Sequence, residues 1–293
     1  MQQTADSRQQ TADSRKGTFF LAVLKMSAVK KYIKIVVATH KKYRMPEDGC
    51  YLPLQVGKAG KEALGYQGDD TGDNISEKNP YYCELTGLYW AWKNLDAEYI
   101  GLVHYRRYFA SKKRKLMFWK KDRFEQVLTG EEFVKLLQDT DILLPSKRHY
   151  YYIESLYSHY AHTHYEEHLT IARDIVGELT PEYLDAYDRV MKRTSGHMFN
   201  MFVMSKAKCD EYCSWLFPIL EELEKRVDYK QYDQFQQRMF GRVSELLLNV
   251  WIEQTGYPYK TVPIVSIEKN HLLKRIPAFL KAKFFHKKYN CSF

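Results

Sequence analysis

Residues Tyr99-Ile100-Gly101-Leu102-Val103 form a short apolar run that turns at once into His104-Tyr105-Arg106-Arg107-Tyr108-Phe109. A run of this length before a polar burst reads as a buried strand whose carboxyl end opens into a site. Open α/β sheets hold their ligands at the carboxyl ends of their strands. Two adjacent guanidiniums there favour an anion, and their planar fork matches a diphosphate. The same residues would also fit a surface turn with two solvated arginines, so the flanking elements decide.

Upstream, Lys31–Thr39 is a β-branched run and reads as a first strand, followed by the basic segment His40-Lys41-Lys42-Tyr43-Arg44. Asn79–Leu95 reads as one helix, with Asn79 as its cap, Pro80 at its first position and Leu85, Leu88, Tyr89 and Trp92 at helical spacing. Strand, helix, strand and polar burst is the arithmetic of a nucleotide-binding sheet. Between them lies a Gly- and Asp-rich loop with Asp69, Asp70 and Asp73. Such a cluster can hold a divalent cation, but it fits no calcium-loop spacing and also reads as solvated turns.

Downstream, Glu131–Gln138 reads as a helix and Asp141–Pro145 as a third strand. The span from His149 to His168 is rich in Tyr and His. His164 and His168 have the spacing of a helical zinc pair but lack a third ligand pattern, and a polar substrate cleft is the better reading. Pro181–Arg193 reads as an amphipathic helix and Phe199–Met204 as a strand. Lys206–Arg226 reads as a helix kinked at Pro218, and Tyr232–Gln254 as a longer helix that contains Arg242 and Glu245.

The ends differ from this middle. Residues 2–8 and 9–15 repeat one polar heptapeptide, which reads as a disordered leader over 1–30, with Met26 as a native start. The apolar stretch from Thr18 to Leu24 is too short to span a bilayer, and no cleavage site follows it. Residues 269–293 carry Leu272, Ile276, Leu280 and Phe284 at four-residue steps among lysines, the pattern of a basic amphipathic helix at a membrane surface. The net charge of +9 asks for an anionic partner. Five scattered cysteines without CxxC spacing suggest neither a zinc site nor a disulfide framework, hence a reducing compartment.

Several strings then act together: Asp73-Asn74-Ile75-Ser76, Tyr82-Cys83-Glu84-Leu85-Thr86-Gly87-Leu88-Tyr89-Trp90, the His104–Phe109 string, Asp141–Pro145, Asn200–Met204, Arg238–Gly241, Ser244–Leu247 and Asn249–Trp251. Over about residues 32–267 the chain resembles a bacterial family long described only as a domain of unknown function. That family is found in capsular, exopolysaccharide and lipopolysaccharide gene clusters. Its members look like glycosyltransferases, and some are similar to galactofuranosyltransferases. The resemblance implies an α/β, GT-A-like (Rossmann-like) fold over 31–268, with a central, mostly parallel sheet flanked by helices and a C-terminal helical extension. It implies a nucleotide-sugar donor, such as UDP-galactofuranose, and a glycan or undecaprenyl-linked acceptor at the inner face of the cytoplasmic membrane.

Such enzymes usually carry Asp-x-Asp where this chain has His104-Tyr105-Arg106. Cations in that place would neutralise the leaving diphosphate directly, so no metal is required. Mg2+ or Mn2+ at Asp69, Asp70 and Asp73 is the fallback. Donor contacts are expected from Thr39, Tyr43, Asn74, His104, Tyr105, Arg106 and Arg107. Inverting transfer needs a base, for which Glu245 comes first, with Asp233, Glu84 and His104 as further catalytic candidates. Glu245 could instead be ion-paired to Arg242 or Arg238. Two other classes compete. One is a nucleic-acid-binding protein, motivated by Lys112–Lys115 and the abundant Tyr, although no nucleic-acid motif is present. The other is a non-catalytic glycan-binding module.

Overall fold

The computed structural model describes residues 32–111, 122–150 and 154–268. The leader, the basic segment from Lys112 and the C-terminal tail therefore lie outside the described residues. The main sheet has nine strands, seven of them side by side in the order β10-β6-β9-β4-β1-β2-β3. They are β1 (Ile33–Thr39), β2 (Tyr51–Gln55), β3 (Gln67–Gly68), β4 (Tyr99–His104), β6 (Ile142–Pro145), β9 (Phe202–Ser205) and β10 (Lys260–Val262). All run the same way except β9, which lies antiparallel between β4 and β6. β4 turns at Tyr105-Arg106 into β5 (Arg107–Phe109), which pairs antiparallel with β11 (Ile264–Ser266).

β1 shows why this sheet is central. Val36 and Ala38 face one apolar cluster while Ile33, Ile35 and Val37 face another, so both sides are covered. A continuous apolar run is what a strand buried on both faces requires. The larger cluster joins the sheet to α1 (Asn79–Tyr82), α2 (Leu85–Asn94), α5 (Glu167–Leu179), α6 (Leu184–Met191), α7 (Lys206–Arg226) and α8 (Met239–Thr255). The smaller one packs α3 (Gly130–Leu136) on the opposite face. Gly87 lets α2 approach β2 closely, since a Cβ there would meet Val56 at 2.9 Å.

Several expected elements are corrected. The helix expected over Asn79–Leu95 breaks at Cys83, whose φ of 55° and ψ of −129° no helix tolerates. Asn79 does not cap the start. Its side-chain amide donates to the Cys83 carbonyl at 2.7 Å and to Thr86 Oγ1 at 3.2 Å, and so closes the break. The helix expected from Tyr232 begins only at Met239, because Asp233 folds back to accept the amides of Phe235 and Gln236. Pro218 does not interrupt α7, where Trp215, Leu216, Phe217, Ile219 and Leu220 are buried on either side of it. Burial of five large side chains outweighs one lost backbone hydrogen bond. His164 and His168 do not share a helix: His164 ends α4 (Leu156–Thr163) and His168 lies in α5.

Candidate active site

The break at Cys83 builds one wall of a cleft. Tyr82 stacks on Phe240 with ring centres 4.6 Å apart, which pins α1 to α8. Cys83 and Glu84 then lie against Gly241 and Glu245, where a Cβ on Gly241 would stand 3.4 Å from Cys83 Cβ. The floor comes from the segment entering β9, where Phe199 and Asn200 both have positive φ. Asn200 donates to Glu84 Oε1 at 2.7 Å and to the Gly241 carbonyl at 2.8 Å, and accepts from Ser244 Oγ at 2.9 Å. One amide side chain thus ties together the cleft floor, α8 and the carboxylate of Glu84. All three non-glycine residues with positive φ among the described residues sit at or beneath this cleft, and such strain gathers at functional sites.

The cleft has a volume of about 270 Å³. Five arginines line it: Arg106 and Arg107 from the turn after β4, Arg148 from β7 (Arg148–His149), and Arg238 and Arg242 from the start of α8. Glu84 and Glu245 are its carboxylates, and His104, His159 and His164 its imidazoles. Burial and the nearby Glu84 push the Glu245 carboxyl up to about 7, against the amide of Phe199 and the charges of Arg148 and Arg107. Arg107 lies over the Phe199 ring at 4.6 Å. Arg238 donates to Cys83 Sγ at 3.1 Å, and Arg242 to the Phe235 carbonyl at 2.7 Å. Neither Arg238 nor Arg242 forms an ion pair with Glu245 among the described residues, so the paired reading of Glu245 is set aside.

The structure distributes the sequence candidates unevenly. Glu245, His104, Arg106 and Arg107 meet in the cleft, together with Glu84. His104 is held below the ordinary imidazole value, chiefly by burial, with Arg107 and Arg106 acting in the same direction and Glu84 against them. It is therefore a neutral ring rather than a cation, and the positive charge of the cleft belongs to the arginines. Tyr105 and Tyr43 meet edge to face at 5.1 Å beside the carboxyl end of β1, outside the cleft lining. Thr39 is buried, its hydroxyl donated to the Lys41 carbonyl. Asn74 is engaged within its own turn, with Gly72 and Ser76. Asp233 is an exposed cap away from the cleft lining.

The acidic loop does not fit a divalent cation. Asp69 is fully buried and accepts from the amides of Gly57 and Lys58 and the hydroxyls of Ser76 and Thr86. Asp70 faces Lys58, and Asp73 accepts from Tyr89. Among the described residues no three His, Cys, Asp or Glu side chains converge as a metal site would need.

Arg148, Arg238, Arg242 and Tyr150 were not singled out by sequence as site residues. Arg238 and Arg242 carried a signal, standing one helical turn apart and, for Arg242, one turn before Glu245. Arg148 carried none.

Comparison with known proteins agrees with this architecture. A solved structure of WbbM, described as a bifunctional glycosyltransferase in its apo form, superposes with a TM-score of 0.72 at 31% identity. The match covers 81% of this chain and 46% of that one, so the chain spans about half the length of the neighbour. The fold is α/β and GT-A-like. Residues 34–256 match the model of a domain of unknown function, DUF4422, and the chain belongs to that family. The comparison with curated proteins gave no match.

Proposed function

We propose that this chain is a glycosyltransferase using a nucleotide-sugar donor. The observation that carries the reading is the gathering of five arginines and the half-buried carboxyl of Glu245 in one cleft at the carboxyl end of β4. The turn arginines Arg106 and Arg107, with Arg238, bind the donor diphosphate. Their fixed N–H groups take up the charge that develops on the leaving nucleoside diphosphate. Glu245, poised near neutrality, takes the proton of the acceptor hydroxyl as that oxygen attacks the anomeric carbon. The transfer inverts configuration and runs without metal. The donor is a UDP-sugar, UDP-galactofuranose among the candidates, and the acceptor a lipid-linked glycan of a bacterial surface polysaccharide.

Membrane contact in this scheme is peripheral, through the basic C-terminal segment. Among the described residues no helix is long and apolar enough to cross a membrane. The cations also lie in a concave cleft rather than on an extended face, which suits a small anionic donor better than a nucleic acid.

The test is a panel of nucleotide sugars, scored by thermal shift and by release of nucleoside diphosphate, with and without EDTA. A ligand that binds only the folded state raises the melting temperature. A UDP-sugar that shifts melting and is consumed in EDTA supports the proposal. A shift without consumption favours a binding module, and a shift that needs manganese removes the metal-free reading.

A further inference from the structure

We infer that Arg148 and Arg242 form a second anion subsite, so that the acceptor carries a carboxylate or phosphate group close to the hydroxyl that reacts. The inference rests on the transferase reading for the word acceptor, and on geometry for the anion.

The cleft arginines act on different surroundings. Arg106 and Arg238 bear on His40, beside the carboxyl end of β1. Arg148 lies over Tyr150, whose ring packs on His159 at 4.1 Å, and Arg242 stands 3.4 Å from His164, whose ring packs on Tyr160 at 4.9 Å, so both arginines belong to the opposite wall. Glu245 feels both Arg107 and Arg148, and so stands between the turn after β4 and the opposite wall. A base that takes a proton from an acceptor must border the acceptor, and of the two sides Glu245 borders, the one not assigned to the donor diphosphate is the wall that holds Arg148.

The two guanidiniums are also built to receive an anion. Arg148 lies over the Tyr150 ring at 5.1 Å and Arg242 over the Phe235 ring at 4.0 Å. Among the described residues neither makes an ion pair. The hydrogen bonds Arg242 donates go to neutral acceptors: the Phe235 carbonyl at 2.7 Å and Gln236 Oε1 at 3.5 Å. A ring under a guanidinium holds it without using its charge, and the N–H groups not already donated remain for a carboxylate or phosphate. A neutral sugar would need neither charge, since Tyr150, Tyr160 and the two imidazoles already offer stacking faces and hydrogen bonds.

The experiment measures binding of methyl glucoside, methyl glucuronide and glucose 1-phosphate to the full chain by calorimetry, with and without saturating UDP. The anionic probes are expected to bind at least tenfold more tightly than methyl glucoside. Arg148→Gln is expected to abolish that preference with UDP affinity retained. Arg242→Lys, which keeps the charge but not the stacked plane, is expected to reduce it. Tighter binding of methyl glucuronide assigns an acidic sugar, and tighter binding of glucose 1-phosphate assigns the phosphoryl link of a lipid-borne acceptor. Equal binding of all three probes, no binding of any, or a preference that survives in both folded variants overturns the inference. An intact anion preference in a protein that does not bind UDP removes the donor assignment alone.

Discussion

His104 and Phe199 are joined by a short hydrogen bond: the imidazole Nε2–H donates to the Phe199 carbonyl at 2.6 Å. A carbonyl only accepts, so the proton must sit on Nε2, and the neutral ring presents Nδ1 as an acceptor. The backbone amide of the same Phe199 also acts on the Glu245 carboxyl, holding its pKa down against the effect of burial. One residue in a strained conformation therefore orients the imidazole of the cleft and tunes its carboxyl group.

The first prediction concerns Glu245. Its folded value near 7 lies above the unfolded carboxylate range, so the native state holds the proton through that window. Stability then falls as pH rises from about 4.5 to about 7. Turnover should rise through the same window as the base ionises. Glu245→Gln should lose about 10²-fold or more of the rate, while its melting temperature at pH 8 equals or exceeds that of the parent. A pH profile of rate and melting checks both.

The diphosphate assignment predicts a graded series. Arg107→Ala should lower kcat/KM by about 10²-fold, the scale of one lost charge-stabilising donor. Arg107→Lys should recover part of it, because an ammonium keeps the charge without the fork. Arg44→Ala, at an exposed pair with Asp122 outside the cleft, should leave turnover unchanged. Equal losses in the Arg44 and Arg107 variants would remove the assignment.

Asp69 should prove structural. Asp69→Asn turns an amide hydrogen toward donors that now meet a carboxylate oxygen, at a cost of about 2–4 kcal/mol. Urea unfolding measures this directly. Manganese should neither restore the variant nor shift the melting of the parent; a manganese-dependent shift lost in the variant would return the loop to consideration as a metal site.

Asn200 separates backbone strain from hydrogen bonding. Asn200→Gly loses the bonds to Glu84, Gly241 and Ser244 but accepts the φ of 51°. Asn200→Ala loses the same bonds and adds about 1 kcal/mol of left-handed strain. The alanine variant should be the less stable of the two in denaturant. Equal stability would mean that the conformation relaxes on substitution.

The sheet was legible because β1, β4 and β6 are apolar runs with no competing period, and their turns carry polar bursts. The carboxyl-end arginines and Glu245 were legible for the same reason: charge stands out against an apolar background. The break at Cys83 was not, since Pro80, Leu85 and Leu88 keep helical spacing straight across it, and only the fold's demand on Cys83 and Asn79 reveals the interruption. Asp69 read as a solvated turn because nothing local announces the four donors, drawn from residues 57 to 86, that bury it. Arg148 reaches the cleft through the pairing of β7 with β8 (Ser195–Gly196), a contact between segments nearly fifty residues apart. The donor candidates Thr39 and Asn74 sit where the sequence put them along the chain, but their polar groups are already engaged by neighbouring backbone.

Five guanidiniums from three separate parts of the chain are gathered into one cleft, and the repulsion between those parts exists only once the chain has folded. The cleft is thus a place where folding works against itself until an anion arrives. If the cleft takes up anions as proposed, phosphate or pyrophosphate in a storage buffer acts as a folding ligand as much as a salt, and unfolding measured in chloride and in phosphate describes two differently loaded states of the same molecule.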